Sequence, residues 1–382
     1  MKKSFLRIRK NKEKIMTELQ KFIINHNDWE EELQTEPYYI KITRDGPYIM
    51  FKYNQIESDF SNPIVRECRG IILKEETFKV VCHAFDKFGN YGESYAPEID
   101  WESAVVQEKC DGSLIKIWYD DDWHISTNGA IDAFKVFVSS GERSFGDLVI
   151  EAMPIPWNEF GNLASSSATY MFELCSKYNR VVVPHDEPKL YFLGWRENSR
   201  NCELERSFSI FNDIFLTPKT YDLHSLDDTV AAAKELPWNE EGYVVCDKCF
   251  NRVKIKSPEY VKAHYARNNN IMTTERLVDV ILNGEQDEFL LYAEEWTNEL
   301  MKVQTAMHLF AHSAREKLAE IFEMKNFENR GQYAIAVKDS PRMMQDFLFH
   351  CFNEQIFWDY AKKWSAADWV KAITPILETE ER

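Results

Sequence analysis

Residues 105–119, VVQEKCDGSLIKIWY, determine how the whole chain is interpreted. The apolar start predicts a strand that ends at Lys109, Asp111-Gly112 predicts a sharp turn, and the remaining residues predict a second strand. Lys109 could be a solvated lysine in a β-hairpin, or a nucleophilic lysine at the mouth of a pocket. The Lys-x-Asp-Gly motif alone cannot decide, because it occurs by chance in roughly one chain in ten of this length. The rest of the sequence has to decide.

Composition excludes several classes of protein. The 382 residues are 44% hydrophobic and 14% aromatic, which predicts packed cores and, at this length, two domains. No apolar run approaches the ~18 residues that cross a bilayer, and residues 1–14 lack the features of a signal peptide, so we expect a cytoplasmic protein with reduced cysteines. The net charge of -17 disfavours strong non-specific DNA binding, although residues 1–14 carry seven Lys or Arg against one Glu.

Hydrophobic periodicity changes near residue 257. Before it, short alternating segments predict a largely antiparallel α+β region, with an opening helix around 14–26 and helical segments around 141–152 and 224–235. After it, glycine becomes rare, and apolar residues recur every three or four positions from Trp296 to Ile321. The segment 342–364 has the same helical character. We therefore predict an α+β domain over residues 1–257 and an all-α domain over residues 258–382.

Five further motifs accompany the Lys109 motif in a defined order. Each places a charged residue at the start of a strand, inside a strand or in a loop. Lysines two apart on a strand share one face of the sheet. The motifs are ECRGI with Arg69, DKFGN with Lys87, FE with Glu173, EGYV with Glu241, and KIKS with Lys254 and Lys256.

This ordered set resembles the covalent nucleotidyltransferases, the superfamily of polynucleotide ligases and mRNA capping enzymes. Within it, the chain most resembles the RNA ligase 1 family of the bacteriophage T4 type, by motif over about residues 66–260. That family also carries a helical C-terminal domain. The resemblance implies a nucleotidyltransferase domain of mostly antiparallel sheets and an ATP-dependent ligase that joins 3′-hydroxyl and 5′-phosphate RNA ends. It suggests repair of broken tRNA as the role, and we expect a monomer.

The resemblance also implies roles for individual residues. Lys109 would attack the α-phosphate of ATP, and Glu173 and Glu241 would bind Mg²⁺ or Mn²⁺. A free lysine, with a pKa near ~10.4, is mostly protonated at neutral pH, so the reaction needs neighbouring cations or partial desolvation. Arg196 is a candidate phosphate ligand or a strand-end charge, and Tyr260 a functional or merely packed residue. The implied ATP-binding residues are Arg69, Lys87, Glu108, Asp111, Gly112, Glu173, Lys254 and Lys256.

One feature departs from the family pattern, and a cysteine pair is interpreted separately. Asn128 stands in HISTNGAI where the family tends to have a basic residue, which removes one expected phosphate contact. Cys246 and Cys249 form half of a zinc knuckle without a second pair, so we interpret them as reduced thiols.

Two alternative functions stay open. A DNA ligase or a capping enzyme would share the nucleophile, but such proteins usually continue into a β-rich OB domain instead of helices. A non-catalytic RNA-end-binding protein would not need the lysine, the glutamates and the paired lysines together.

Overall fold

The chain divides into two units, Met1–His264 and Tyr265–Arg382. The basic segment 1–14 and residues 352–363 of the last predicted helix lie outside the described residues. No helix of the described part is long and apolar enough to cross a membrane. The structure, a computed structural model, describes residues 16–55, 57–138, 141, 143–199, 202–203, 209–265, 272–286, 289–290, 296–324, 330–338, 340–351 and 364–380.

Antiparallel strands form the framework of the described part of the first unit. They make three sheets, with the orders β1-β2-β3-β4, β10-β9-β8-β6-β7 and β11-β5-β12-β13, and all neighbouring strands pair antiparallel. The α+β prediction is therefore confirmed. The strands are β1 (Ile40–Asp45), β2 (Tyr48–Tyr53), β3 (Arg69–Lys74), β4 (Lys79–Cys82), β5 (Val105–Glu108), β6 (Ser113–Asp120), β7 (Asp122–Thr127), β8 (Ala168–Cys175), β9 (Lys189–Glu197), β10 (Cys202–Glu203), β11 (Thr220–Tyr221), β12 (Gly242–Cys246) and β13 (Arg252–Lys256).

Helices cover parts of these sheets and form the second unit. The helix predicted to open the chain begins at Glu18, where Thr17 and Gln20 form a capping box. In the first unit the described helices are α1 (Glu18–Asn25), α2 (Trp29–Leu33), α3 (Pro63–Glu67), α4 (Phe145–Ala152), α5 (Phe160–Leu163), α6 (Ser209–Ile214), α7 (Leu226–Lys234) and α8 (Pro258–Tyr265). In the second they are α9 (Thr274–Leu282), α10 (Thr297–Met324), α11 (Arg330–Val337), α12 (Arg342–Cys351) and α13 (Ala366–Glu380).

The second unit has a hydrophobic core of its own. Leu300, Val303, Met307 and Phe310 of α10 are buried, as the spacing of three and four residues predicts. Helices α9 and α13 pack against α10. The predicted helical C-terminal region is thus confirmed.

The turn at Asp111-Gly112 does not close a β-hairpin. Strand β5, which leads to Lys109, pairs with β11 and β12, whereas β6, which follows the turn, pairs with β7 and β8. The two strands therefore belong to different sheets. Lys109 lies where the chain passes from one sheet to the other, and the ordinary hairpin interpretation does not apply.

Candidate active site

A cavity of about 480 Å³ lies where strands from all three sheets of the first unit meet. Its walls are both apolar and charged, as in a site for a small polar ligand. Most of the nucleotide-binding residues predicted from the sequence line it, although they come from distant parts of the chain. These residues are Arg69, Glu108, Lys109, Gly112, Glu173, Lys254 and Lys256.

Lys109 is held at both its backbone and its side chain. Its N–H donates to the carbonyl of Gly242, with the two atoms 2.8 Å apart. Its Nζ lies 2.7 Å from Oε1 of Glu241, and Nζ of Lys256 lies 3.5 Å from the same oxygen. The side chain of Glu241 is only 5% exposed, against 21% for Lys109. A nearly buried carboxylate thus aligns the candidate nucleophile.

Glu173 supplies a carboxylate to the cavity from strand β8, whereas Glu241, which contacts Lys109, is not among the described residues that line it. Burial raises its pKa to about 7, Lys109 lowers that pKa, and Glu241 raises it. A carboxylate whose charge is disfavoured by burial and by a neighbouring glutamate fits a divalent cation, which would stabilise its anionic form. Within the described residues, no group of three or more His, Cys, Asp and Glu side chains could hold a metal. Mg²⁺ would therefore need water or phosphate oxygens as well.

Arginine and lysine side chains surround a phenylalanine ring on another wall. The guanidinium of Arg69 lies 5.3 Å from the ring centre of Phe88, and Nζ of Lys254 lies 5.5 Å from it. Nε and Nη1 of Arg69 are buried and have no hydrogen-bond partner in the described structure. A buried donor without an acceptor is costly, so this wall fits a ligand that carries anionic oxygens.

Glycine at position 112 allows the turn after Lys109 to approach strand β8. A Cβ at Gly112 would lie 2.4 Å from the carbonyl oxygen of Leu174, closer than any real side chain permits. The close approach brings the turn beside Glu173, the neighbour of Leu174 on β8. A glycine at this position is therefore required for the close backbone packing of the turn.

Asp111 and Tyr260 contact each other in the interior. Oδ2 of Asp111 accepts hydrogen bonds from the N–H groups of Val182 and Val183, at 2.8 and 2.6 Å. Its Oδ1 accepts the hydroxyl of Tyr260 at 2.8 Å. Both residues are buried, and neither is among the described residues that line the cavity. The geometry gives them a role in holding the Lys109 turn, and a direct contact with nucleotide stays a prediction.

Lys87 and Arg196 lie outside the described lining of the cavity. Nζ of Lys87 lies 4.9 Å from the ring centre of Phe60 and 5.5 Å from that of Tyr53. Nη1 of Arg196 donates to the carbonyl of Ala84 and pairs with Asp86, at 2.6 and 2.9 Å. The structure therefore does not bring these two side chains to Lys109.

Several residues of the cavity were not predicted. Arg252 lines it between Phe85 and Phe250, with its guanidinium 4.2 and 5.7 Å from their ring centres. Its period-two spacing with Lys254 was the sequence signal that could have identified it. Phe88 lay inside the DKFGN motif, but nothing in the sequence indicated that its ring would face two cations.

Cys246 and Cys249 flank a turn that Asp247 organises. Oδ1 of Asp247 accepts the N–H groups of Cys249 and Asn251, at 2.8 and 3.0 Å. Cys246 is buried and Cys249 is exposed. Hydrogen bonds to a carboxylate thus account for the shape of this turn.

Comparisons with known proteins identify the family to which the chain is similar. The model of a family described as RNA ligase matches residues 67–260, half of the chain. The chain is 36% identical to a putative bifunctional polynucleotide kinase/RNA ligase of Autographa californica nuclear polyhedrosis virus, over 66% of this chain and 38% of that protein. It is 26% identical to an RNA ligase of Rhodothermus phage RM378, over 65% and 71% of the two chains. A solved archaeal ATP-dependent RNA ligase is similar with a TM-score of 0.43 and 12% identity, over 72% and 73% of the two chains.

Proposed function

Because the chain belongs to the RNA ligase family of the bacteriophage T4 type, we propose that it is an ATP-dependent RNA ligase. It would join a 3′-hydroxyl to a 5′-phosphate through a covalent lysyl-AMP on Lys109. The observation that carries the proposal is the position of Lys109, held by Glu241 in a cavity with Arg69, Lys254 and Lys256. We further propose broken tRNA as the substrate, a monomeric protein and a cytoplasmic location.

Lys109 has to lose a proton before it can attack phosphorus. Its Nζ would then form a bond to the α-phosphorus of ATP while the bond from that phosphorus to the bridging oxygen of the β-phosphate breaks and pyrophosphate leaves. Arg69, Lys254 and Lys256 would balance the negative charge of the phosphates. A divalent cation at Glu173 and Glu241 would supply further positive charge at the same phosphates.

Two further displacements would complete the reaction. An oxygen of the RNA 5′-phosphate would attack the lysyl-AMP phosphorus, and the nitrogen of Lys109 would leave and regain a proton. The RNA 3′-hydroxyl would then attack the activated 5′-phosphate, lose its proton and release AMP. In these steps Lys254 and Lys256 face phosphate again, whereas Lys109 is no longer a nucleophile.

The direct test is transfer of label from α-labelled ATP to the protein in the presence of Mg²⁺. We expect an acid-labile adduct on wild-type protein and none on Lys109→Ala. Lys109→Ala should still join pre-adenylylated RNA to a 3′-hydroxyl, because that substrate bypasses the first step. The exposed-lysine variant Lys248→Ala serves as control and should label normally. Label on Lys109→Ala, mapped to another residue, would contradict the assignment.

The same assay separates the alternatives. Label from GTP instead of ATP would indicate a capping-type enzyme, and sealing of nicked DNA in preference to RNA would indicate a DNA ligase. Binding of RNA ends without any covalent label would indicate a non-catalytic protein. We expect ATP-dependent label and RNA sealing.

A further inference from the structure

Lys116 is a lysine in the interior of the first unit that no motif includes. It lies on strand β6, its exposed fraction is 0%, and its Nζ donates to the carbonyl oxygen of Gly70. Across β6 it faces Ser126 of β7 and Met171 of β8, neither of which carries a titratable group. Lysine is almost never fully buried unless it is paired with an opposite charge.

Among the described residues, the charged and titratable groups that act on Lys116 do not include a carboxylate. They are Cys82 of β4, Lys52 of β2 and Arg69 of β3, and the two cations disfavour its charged form. Burial also raises the pKa of Cys82 to about 11, so this thiol is neutral near pH 8. Burying an uncompensated ammonium is expensive. The described residues around Lys116 therefore leave its charge to be balanced by something else.

Lys116 lies directly behind the wall of the cavity. Gly70 adopts a positive φ of 73°, and a Cβ there would lie 2.8 Å from Nζ of Lys116 and 2.7 Å from the carbonyl oxygen of Asn128. Gly70, Nζ of Lys116 and the carbonyl oxygen of Asn128 therefore lie close together, next to Arg69. Arg69 and Asn128 line the cavity, and Nε and Nη1 of Arg69 and Oδ1 of Asn128 are buried without hydrogen-bond partners. In the described structure, the two nitrogens of Arg69 therefore have no acceptor and Oδ1 of Asn128 has no donor.

We propose that Lys116 is a positioning residue for nucleotide phosphates, and that its charge replaces the basic side chain that position 128 lacks. Lys116 does not touch the ligand. It holds the backbone that carries Arg69 and adds its charge to the field at that wall, where an anionic ligand balances it. A hydroxyl group of the ligand would donate a hydrogen bond to Oδ1 of Asn128. The inference rests on the proposed function, because it takes a nucleoside triphosphate as the ligand.

The first experiment measures binding of α,β-methylene-ATP, which cannot transfer AMP, to full-length wild-type protein and Lys116→Met. We expect the Kd to rise about 5- to 10-fold, as for a charge several ångström from the phosphates in a partly desolvated site. The Kd of adenosine, which has no charge, should not change. The melting temperature should change little, because the lost hydrogen bond to Gly70 is offset by removal of a buried charge that has no carboxylate partner. Lys135→Met, at an exposed lysine, is the control and should bind like wild type.

A second variant tests whether the charge of Lys116 replaces that of a basic side chain at position 128. Asn128→Lys in the Lys116→Met background should restore most of the lost affinity for α,β-methylene-ATP. In the wild-type background, Asn128→Lys should not increase the affinity for α,β-methylene-ATP. It should lower the melting temperature, because it adds a cation beside Lys116 and Arg69. If Lys116→Met and Asn128→Lys change the binding free energy additively, the proposal that one charge replaces the other is wrong.

The pH dependence of binding gives a third readout. Burial, reinforced by the cations Lys52 and Arg69, lowers the pKa of Lys116 to about 8. Its charge is therefore present below pH 8 and is lost above it. From pH 7 to 9.5 wild-type affinity should fall more steeply than that of Lys116→Met, and equal slopes would contradict the inference.

The outcomes separate this inference from the proposed function. If wild-type protein takes no label from ATP, the proposed function fails. If wild-type protein is labelled but Lys116→Met binds α,β-methylene-ATP like wild type, only the role of Lys116 fails. A parallel loss of melting temperature and of affinity for both ligands would make Lys116 a structural residue and also overturn the inference.

Discussion

Glu241 is the residue on which two lysines of the cavity converge. Its Oε1 lies 2.7 Å from Nζ of Lys109 and 3.5 Å from Nζ of Lys256, and its side chain is nearly buried. Its charge also raises the pKa of Glu173. One carboxylate therefore orients the nucleophile and shares in the electrostatics of the proposed metal site. The two roles can be distinguished, because only the second depends on the metal.

We predict that Glu241→Gln, which keeps the shape but removes the charge, lowers the rate of adenylylation about 100-fold or more at low Mg²⁺, as loss of a metal ligand does. High Mg²⁺ should recover part of the activity. The measurement is label from α-labelled ATP across a Mg²⁺ titration. Glu240→Gln, at the exposed neighbouring glutamate, is the control. A defect of the same size at every Mg²⁺ concentration would mean that Glu241 only orients Lys109.

At the scale of elements, helix α1 is fixed to the end of α3 by a carboxylate. Oε1 of Glu67 accepts the N–H of Glu18 at 3.0 Å, and its Oε2 accepts the N–H of Leu19 at 2.8 Å. These are amides of the first turn of α1, which have no partner within the helix. Burial raises the pKa of Glu67 to about 7, although the hydrogen bonds from the two amides lower it. The contact therefore includes an acid whose charged form is disfavoured in the folded state.

This contact predicts a pH dependence of stability. Between about pH 4.5 and 7 the folded protein keeps a proton on Glu67 that the unfolded chain has lost, so stability falls as pH rises. This contribution to the free energy of unfolding is fully present below pH 4.5 and is lost above pH 7. Its size, about 3 kcal/mol, follows from the difference between the ordinary pKa of 4.5 and the folded-state pKa of about 7. The free energies of unfolding of wild type and Glu67→Gln can be measured in urea at pH 5, 6 and 7.5. We expect wild type to lose stability relative to Glu67→Gln as the pH rises. A difference that is constant with pH would contradict this origin.

At the scale of the whole molecule, the two units have separate hydrophobic cores. The buried clusters of the first unit draw on residues between Leu19 and Ile255, and that of the second on residues between Leu277 and Ile373. Helix α8 lies almost entirely in the first unit, beyond the Ser257–Pro258 boundary predicted from the sequence. Its Tyr260 bonds to Asp111, so the first unit needs this helix for its own interior.

We predict that a chain ending at Tyr265 still forms the enzyme–AMP adduct, whereas one ending at Ser257 loses the Tyr260 contact and forms it poorly. Label from α-labelled ATP on monodisperse protein is the measurement. We expect the helical unit to influence which RNA is accepted. Relative to the full-length protein, the chain ending at Tyr265 should therefore lose more activity on a broken tRNA than on single-stranded RNA. A folded chain ending at Tyr265 that takes no AMP would show that the helical unit helps to build the active site.

The sequence by itself determined the element types and predicted most of the charged side chains that line the cavity. The period of two in RVKIK places Lys254 and Lys256 on one face, and the period of three to four after Trp296 specifies a helix, because both patterns are local. Arg69, Lys109 and Glu173 were recognisable because their motifs occur in order.

Only the tertiary structure decided which strands share a sheet and where each charge lies. Alternation fixes the face of a strand but not its partner, so the sequence could not show that β5 and β6 belong to different sheets. The partners of Asp111 are 71 to 149 residues away, a distance that no local pattern spans. The same non-local packing buried Lys116 behind Arg69 and drew Arg196 to Asp86, because a charge inside a protein takes the partners that folding brings to it.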